Sequence, residues 1–224
     1  MHRDGAGLGD CVTRIPPSPA FTATGVVAVL RAPDVDAYLP VIEALADAGL
    51  QCIELTLTTP RTIDRLPWLL ERLPAGLDLG VGTVRTEAQA AAALDAGARF
   101  LVTPTVQPGV IAAAVRRGVP VYPGAMTPTE VLTDWDAGAS VVKVFPASTV
   151  GADVVKQLHG PFPEIALMPS GGVGLEAIPT WIGAGAVAVS LGGPLLGDAF
   201  AGGHLSALRS RATTALDAVA EARS

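Results

Sequence analysis

The sequence predicts an α/β fold, in its simplest form a (β/α)8 (TIM) barrel, because short β-branched runs alternate with Ala-rich helical segments from Val26 onward. Eight strand candidates fit into 224 residues, a length that suits one compact barrel domain. Glycine recurs at the ends of the predicted helices, where a left-handed cap turns the chain into the next strand. An open doubly wound sheet is the alternative, but no GxGxxG follows the first strand, whose loop reads RAPD.

Each element follows from local pattern. The strand candidates, numbered in chain order, are residues 26–31, 52–57, 77–83, 100–105, 119–124, 141–146, 165–171 and 186–192. The capping glycines are Gly49, Gly97, Gly118, Gly138 and Gly185. The intervening segments have helical spacing, as in Tyr38, Val41, Ile42 and Leu45. We expect a poorly ordered arm over residues 1–20, one barrel domain over 21–224, and a last helix over 204–221 that closes the barrel or packs against another subunit.

Charge and hydropathy exclude several classes of partner. The formal net charge is −6, so the chain offers no basic field for a phosphate backbone, and no nucleic acid is expected as a partner. Half of the residues are hydrophobic and the mean hydropathy is +0.45, yet no uninterrupted apolar run reaches the ~18 residues of a membrane span. The hydrophobic residues must therefore form an interior, and no membrane partner is expected.

Cysteine and histidine usage favours a cytoplasmic protein without a metal. Cys11 and Cys52 are too few for a disulfide scaffold and lack metal-ligand spacing, which suits a reducing cytoplasm. The N-terminal segment has no apolar core of signal-peptide length. His2, His159 and His204 are scattered, so no histidine cluster is predicted to hold zinc.

Lys143 is the strongest functional signal. It lies inside the apolar run VVKVFP, and the only other lysine of the chain is Lys156. Burying a lysine is costly unless it is paired or neutral, and the neutral amine is a nucleophile toward a carbonyl carbon. A lysine that reaches out of the strand end, or that pairs with a core carboxylate, is the structural alternative.

Glu54 is the second anomaly, a carboxylate inside the strand CIELTL. Side chains alternate along a strand, and alternate strands of a barrel supply the same interior layer. The second and sixth predicted strands therefore place Glu54 and Lys143 where they can meet. A buried ion pair without a catalytic role predicts the same meeting.

Further candidates lie at the carboxyl ends of other strands, where such barrels place their sites. Arg31 ends the first strand, and its guanidinium suits a carboxylate or phosphate; an ordinary surface arginine is the alternative. Thr83 closes GVGT, where small glycines let the backbone approach a ligand and the hydroxyl can donate to it. Pro104 shapes the fourth strand end. Simple loop geometry explains Thr83 and Pro104 equally well.

Two glycine-rich loops follow the seventh and eighth strands. They read PSGGVG from Pro169 to Gly174 and SLGGP from Ser190 to Pro194. Such loops expose backbone N–H groups, and the helix that follows favours an anion, so together they predict a phosphate site. Tight turns without a ligand are the alternative.

These motifs together resemble the class I 2-keto-3-deoxy-6-phosphogluconate (KDPG) aldolase and 4-hydroxy-2-oxoglutarate (KHG) aldolase family, over about residues 26–196. The motifs that carry the resemblance are IELTL around Glu54, GVGTV around Thr83, FLVTP around Pro104, YPGAMTPTE after the fifth strand, KVFPAS around Lys143, PSGGV and LGG. Each motif is short, but the set is specific. The family resemblance also implies a homotrimer.

The resemblance implies roles for particular residues. Lys143 would form a Schiff base with pyruvate, and Glu54 would shuttle protons. Arg31 and Thr83 would contact the pyruvate carboxylate and other polar groups, and Phe145 would pack beside the imine. The residues that would hold a phosphate are Ser170, Gly171, Gly172, Gly192 and Gly193.

Three positions depart from the phosphogluconate pattern. Thr58 stands where those members usually carry an arginine, and Arg31 is more like the phosphogalactonate-type arrangement. Ser170 stands for the usual threonine and Pro194 for the usual serine. These changes affect recognition of the acceptor aldehyde and of a phosphate, and they leave the reaction type unchanged.

The sequence therefore predicts a lyase without a cofactor, because a protonated imine is itself the electron sink that the reaction needs. The expected reaction is reversible cleavage of a 2-keto-3-deoxy-6-phospho sugar acid to pyruvate and glyceraldehyde 3-phosphate. One alternative is 4-hydroxy-2-oxoglutarate cleavage to pyruvate and glyoxylate. Another is a barrel that binds a phosphorylated ligand without turnover, with Lys143 and Glu54 as an ion pair only.

Overall fold

The computed structural model describes residues 14–224, and it is an α/β fold built on parallel strands. The strands are β1 (Val26–Leu30), β2 (Cys52–Thr56), β3 (Asp78–Gly82), β4 (Leu101–Val102), β5 (Val121–Tyr122), β6 (Gly124–Ala125), β7 (Val142–Val144), β8 (Leu167–Pro169) and β9 (Val189–Leu191). Every predicted strand is present, and all but the fifth lie within the predicted bounds. The fifth is divided into β5 and β6 at Pro123, which has no N–H to give to a ladder.

Helices separate the strands. They are α1 (Pro19–Thr24), α2 (Tyr38–Asp47), α3 (Thr62–Arg72), α4 (Glu87–Asp95), α5 (Pro108–Arg116), α6 (Pro128–Asp136), α7 (Asp153–His159), α8 (Ile178–Gly183), α9 (Gly193–Leu196) and α10 (Leu205–Arg223). The predicted capping glycines Gly49, Gly97, Gly118, Gly138 and Gly185 all have positive φ, as left-handed caps require. The last helix was expected over residues 204–221, and α10 extends it to Arg223.

The strands form a curled parallel sheet of six, in the order β5-β4-β3-β2-β1-β9, and a second parallel sheet in the order β6-β7-β8. Between β8 and β9 there is one isolated parallel bridge, Ser170 to Ser190. The structure therefore shows the predicted parallel α/β architecture, but residues 14–224 do not form the complete eight-stranded ladder of a closed barrel.

Inward-facing side chains form an apolar layer below the polar ones. Cys52 and Val141 belong to a buried apolar cluster with Phe21 and Tyr122, whose rings lie 5.0 Å apart. Two residues further along the same strands come Glu54 and Lys143. Because side chains alternate along a strand, the two polar residues stand directly above this apolar floor.

The end helices pack around the sheet. Helix α10 contacts α8, which precedes β9, and α2, which follows β1, so it packs between the two ends of the βα succession. Residues 1–13, which contain most of the predicted arm, His2 and Cys11, lie outside the described residues. Helix α1 begins at Pro19, inside the segment expected to be a loose arm, and its Phe21 packs into the apolar layer. No helix within residues 14–224 is both long and apolar enough to cross a membrane.

Candidate active site

A cavity of about 510 Å³ opens at the carboxyl ends of the strands. All the residues that the sequence predicted for the site line this cavity. They are Arg31, Glu54, Thr83, Pro104, Lys143, Phe145, Ser170, Gly171, Gly172, Gly192 and Gly193. The carboxyl ends of the strands, where barrel enzymes have their sites, therefore bring together residues from β1 to β9.

Lys143 lies in the middle of β7 and is held on both sides. Its N–H donates to the carbonyl of Pro123 at 2.8 Å, and its register partner on β8 is Met168. The side chain is only 8% exposed. The ring of Phe145, the next residue on the same face, has its centroid 5.2 Å from Nζ. The amine is therefore presented to the cavity from a rigid strand with an aromatic ring beside it.

Glu54 faces Lys143 from β2. Its side chain is 1% exposed, and Oε2 lies 4.0 Å from Lys143 Nζ. This distance is within reach of an ion pair but too long for a direct hydrogen bond. Oε2 is buried and has no hydrogen-bond partner among residues 14–224. A buried carboxylate oxygen without a partner is costly, so its retention favours a functional role over a stabilising one.

The glycines of GVGT have a different purpose from the expected one. A side chain at Gly82 would overlap the carboxylate of Glu54, and one at Gly80 would overlap the ring of Phe100. These glycines therefore admit neighbouring side chains of the protein, whereas the sequence had suggested close approach of backbone to a ligand.

Thr83 adopts a backbone conformation that β-branched residues rarely take, with φ at +61°. Such strain costs of the order of 1–3 kcal/mol and often marks a functional site. It turns the residue after β3 toward the cavity that it lines. Arg31, after β1, is exposed, and its side chain has no ion pair or hydrogen bond with residues 14–224.

The fourth strand end is shaped by a hydroxyl. Thr103 Oγ1 donates to the carbonyl of Thr105 at 2.6 Å and accepts from the N–H of Gly124 at 3.2 Å. A side chain at Gly124 would lie 2.6 Å from the carbonyl of Pro104. The Pro104 position is thus fixed by tight packing of β4 against β6.

The two glycine-rich loops lie next to each other. Ser170 Oγ donates to Ser190 Oγ at 3.1 Å, which links the ends of β8 and β9. Gly171 and Gly172 both have positive φ, and a side chain at Gly171 would lie 2.9 Å from the ring of Phe145. Neither of their N–H groups donates to an acceptor in the described part of the chain.

Some cavity residues escaped the sequence reasoning. Besides Val29 on β1, they belong to the segment that follows the SLGGP loop: Leu196, Gly197, Phe200 and Ala201. The ring of Phe200 stands edge-on to Tyr38, with centroids 6.2 Å apart. The one sequence signal was a phenylalanine isolated in the small-residue stretch GDAFAGG, where no helix or strand period explains an aromatic residue.

A parallel α/β fold with a buried amine and a buried carboxylate in a cavity at the carboxyl ends of its strands is typical of enzymes that act on carbonyl compounds. The described residues contain no group of three or more side chains suited to a metal ion.

Comparisons with known proteins identify the family. Residues 19–203 match the family model described as KDPG and KHG aldolase. Over 175 residues the chain is 34% identical to the 2-dehydro-3-deoxy-6-phosphogalactonate aldolase of Escherichia coli (strain K12), covering 78% of this chain and 85% of that protein. Over 158 residues it is 35% identical to the 2-dehydro-3-deoxy-phosphogluconate aldolase of Pseudomonas aeruginosa, covering 70% of each.

Solved structures agree. A native KDPGal structure is similar with a TM-score of 0.82 and 32% identity, over 88% of this chain and 95% of that one. The KDPG aldolase of Legionella pneumophila, with pyruvate captured as a covalent carbinolamine intermediate, gives a TM-score of 0.80 and 27% identity, over 87% and 95%. The chain belongs to the KDPG and KHG aldolase family, and it is a lyase of the aldolase class.

Proposed function

We propose that this aldolase cleaves a 2-keto-3-deoxy-6-phospho sugar acid to pyruvate and glyceraldehyde 3-phosphate, with Lys143 as its Schiff-base residue. The observation that carries the proposal is the buried pair at the cavity floor, with Lys143 Nζ 4.0 Å from the unpartnered Glu54 Oε2. Lys156, the other lysine, is exposed on helix α7.

The reaction begins when the neutral amine of Lys143 attacks the keto carbon. Glu54 gives a proton to the departing hydroxyl group, and loss of water leaves a protonated imine. The bond between carbons 3 and 4 then breaks, and its electron pair moves into the imine to form an enamine. The proton of the carbon-4 hydroxyl passes to Glu54, and the aldehyde leaves. Protonation of the enamine carbon and addition of water release pyruvate and restore Lys143.

Other cavity residues would hold the substrate. Phe145 limits water beside the imine, because its ring lies next to Nζ. Arg31 would bind the carboxylate or neighbouring oxygens, since its guanidinium has no partner in the described part of the chain. Thr83 and Pro104 would complete the wall around the reacting carbons, and both line the cavity.

The phosphate would bind at the two glycine-rich loops. The N–H groups of Gly171 and Gly172 have no acceptor within residues 14–224, and both glycines line the cavity with Gly192 and Gly193. Backbone N–H groups at positive-φ glycines form concave anion sites. Ser170, linked to Ser190, would hold these loops together.

The proposal extends to the closure of the barrel, the domain bounds, the oligomeric state and the cellular location. Closure of all eight strands into one barrel is supported by the Ser170 to Ser190 bridge and by the continuity of β5 with β6. A single domain over residues 21–224 and a homotrimer are proposed as well. A similar solved structure, a designed cage made by fusing symmetric oligomeric domains, supports oligomer formation. The cytoplasmic location stays a prediction from the cysteine pattern.

Steady-state kinetics with matched substrates tests the proposal. The phosphorylated sugar acid, its unphosphorylated form and 4-hydroxy-2-oxoglutarate should be compared by pyruvate release. We expect kcat/KM to be highest for the phosphorylated substrate. Faster turnover of 4-hydroxy-2-oxoglutarate would show that the phosphate loops are only turns. If none of the three compounds releases pyruvate while the phosphorylated sugar acid still binds, the protein binds this ligand without turnover and the proposal is wrong.

A further inference from the structure

The backbone conformation of Arg31 is the main restraint on the direction of its side chain. Its side chain is exposed and contacts no carboxylate or carbonyl of residues 14–224 by a hydrogen bond. A long side chain loses conformational entropy when it binds a ligand, so the site gains affinity if the Cα–Cβ bond is already fixed toward the cavity. Groups that fix the two peptide units around Arg31 would therefore increase the affinity for substrate.

Two buried threonine hydroxyls hold those peptide groups. Thr56 Oγ1 donates to the carbonyl of Leu30 at 3.1 Å, which belongs to the peptide group before the Arg31 Cα. Thr59 Oγ1 accepts from the N–H of Ala32 at 3.0 Å, which belongs to the peptide group after it, and donates to the Ala32 carbonyl at 2.9 Å. The two hydroxyls thus restrain φ and ψ of Arg31 from both sides.

The threonines are themselves fixed. Thr62 Oγ1 contacts the carbonyls of Thr56 and Thr59 at 3.1 and 2.9 Å, at the start of helix α3. Tyr38 OH lies 3.4 Å from Thr62 Oγ1. Burial raises the pKa of Tyr38, and contacts with these threonine hydroxyls and the charge of Arg31 oppose that rise. The whole hydroxyl cluster is buried, where every polar group needs a partner, so it has little freedom to rearrange.

We propose that Thr59, together with Thr56, is a positioning residue that sets the direction of Arg31 and thereby the affinity for substrate. The inference rests on the substrate-binding role proposed for Arg31. Family members with an arginine at position 58 could use the loop after β2 to bind substrate directly. In this chain the same loop would act indirectly, by holding the backbone of Arg31. Thr58 is exposed and absent from the cavity wall, and Thr59 serves the site through the neighbouring strand end.

The test is Thr59→Val, which keeps the shape but removes both hydrogen bonds to Ala32. Losing a net hydrogen bond corresponds to about a two- to tenfold change, so KM should rise by that factor. The kcat value and the labelling of Lys143 by pyruvate and borohydride should stay near the parent values. Thr59→Ser keeps the hydroxyl and should restore KM. Ser140→Ala is the matched control, because the Ser140 hydroxyl accepts from Val121 N–H at the far end of the strands.

A merely structural threonine is distinguished by coupling to Arg31. In an Arg31→Ala background, Thr59→Val should change KM no further. Suppose that Arg31→Ala raises KM. If Thr59→Val alone leaves KM unchanged, or if it raises KM by the same factor in the Arg31→Ala background as in the parent, the positioning role is wrong and the function of Arg31 stands. If Arg31→Ala leaves KM unchanged, the role of Arg31 falls and this inference with it. Should Thr59→Val fail to fold, Thr56→Val carries the same test, because valine suits the strand β2.

Discussion

Lys143 Nζ lies 4.0 Å from Glu54 Oε2 across the sheet interior, and both side chains are buried. The carboxylate oxygen has no hydrogen-bond partner within residues 14–224. A pair kept only for stability would be expected to close to hydrogen-bond distance, because the desolvation of both charges must be offset. The observed spacing leaves the amine and the carboxylate separately accessible to the cavity.

Glu54→Gln should fold like the parent and lose most turnover, because the amide has nearly the same shape but cannot carry protons. General acid–base catalysis contributes roughly 10²- to 10⁴-fold, so kcat should fall by that factor. Glu87→Gln is the control, since it removes an exposed carboxylate that pairs with Arg116 and does not line the cavity, and turnover should be unchanged. Near-parent kcat for Glu54→Gln would make Glu54 a structural residue.

Gly82→Ala should reduce turnover although it replaces no reactive side chain. The added methyl group would overlap the Glu54 carboxylate and push it away from Lys143. Small displacements in an active site cost about 10²-fold, so kcat should drop by that order. Gly183→Ala, in helix α8 with nothing within 4 Å of the new methyl group, should be silent. Equal activity of the two variants would mean that the position of the carboxylate is unimportant.

Arg31→Ala should raise KM, because charge-assisted hydrogen bonds contribute about 1.5 to 3 kcal/mol, a factor of tens to hundreds in affinity. Arg31→Lys should recover only part of the loss, since an ammonium lacks the planar fork. Imine formation at high pyruvate should continue, because Lys143 is unchanged. Parent-like kinetics with every substrate would make Arg31 a surface residue.

Asp134 predicts a pH-dependent stability unrelated to catalysis. Burial, together with the charge of Glu130, raises the pKa of this carboxyl from 3.8 to about 7, and neither oxygen has a partner in the described chain. The folded state therefore keeps the proton that the unfolded state loses. Between these two pKa values, the free energy of unfolding falls with rising pH, by up to about 1.4 kcal/mol per unit.

Asp134→Asn removes this titration and keeps the side-chain shape. In urea unfolding, the variant should gain stability over the parent as pH rises from 5 to 8, with most of the gain complete near pH 7. A difference in the free energy of unfolding that stays constant with pH would show that Asp134 does not titrate in this range.

The sequence was most informative where local chemistry alone decides the structure. Strand candidates were recognisable from β-branched runs, and helix ends from glycines such as Gly97 and Gly185, whose positive φ is a local property. Lys143 and Glu54 stood out because charges in apolar strands are rare. The predicted strands were too long, because the hydrogen-bond ladder is interrupted at residues such as Pro123.

Features that depend on distant approach could not be predicted from the sequence. The purpose of Gly82 follows from the register of β2 against β3, which brings Glu54 over it. Thr59 meets Ala32 only because two loops from different strands lie together. Phe200 belongs to a segment without a period, so nothing local placed it at the cavity.

The most direct measurement of the central claim is covalent trapping. The protein is incubated with pyruvate, reduced with borohydride, and analysed by intact mass and peptide mapping. We predict one reduced pyruvate adduct per chain, on Lys143, with none on the exposed Lys156 and none in Lys143→Arg. An adduct on Lys156 instead, or no adduct on any lysine at saturating pyruvate, would contradict the assignment of Lys143 as the Schiff-base residue.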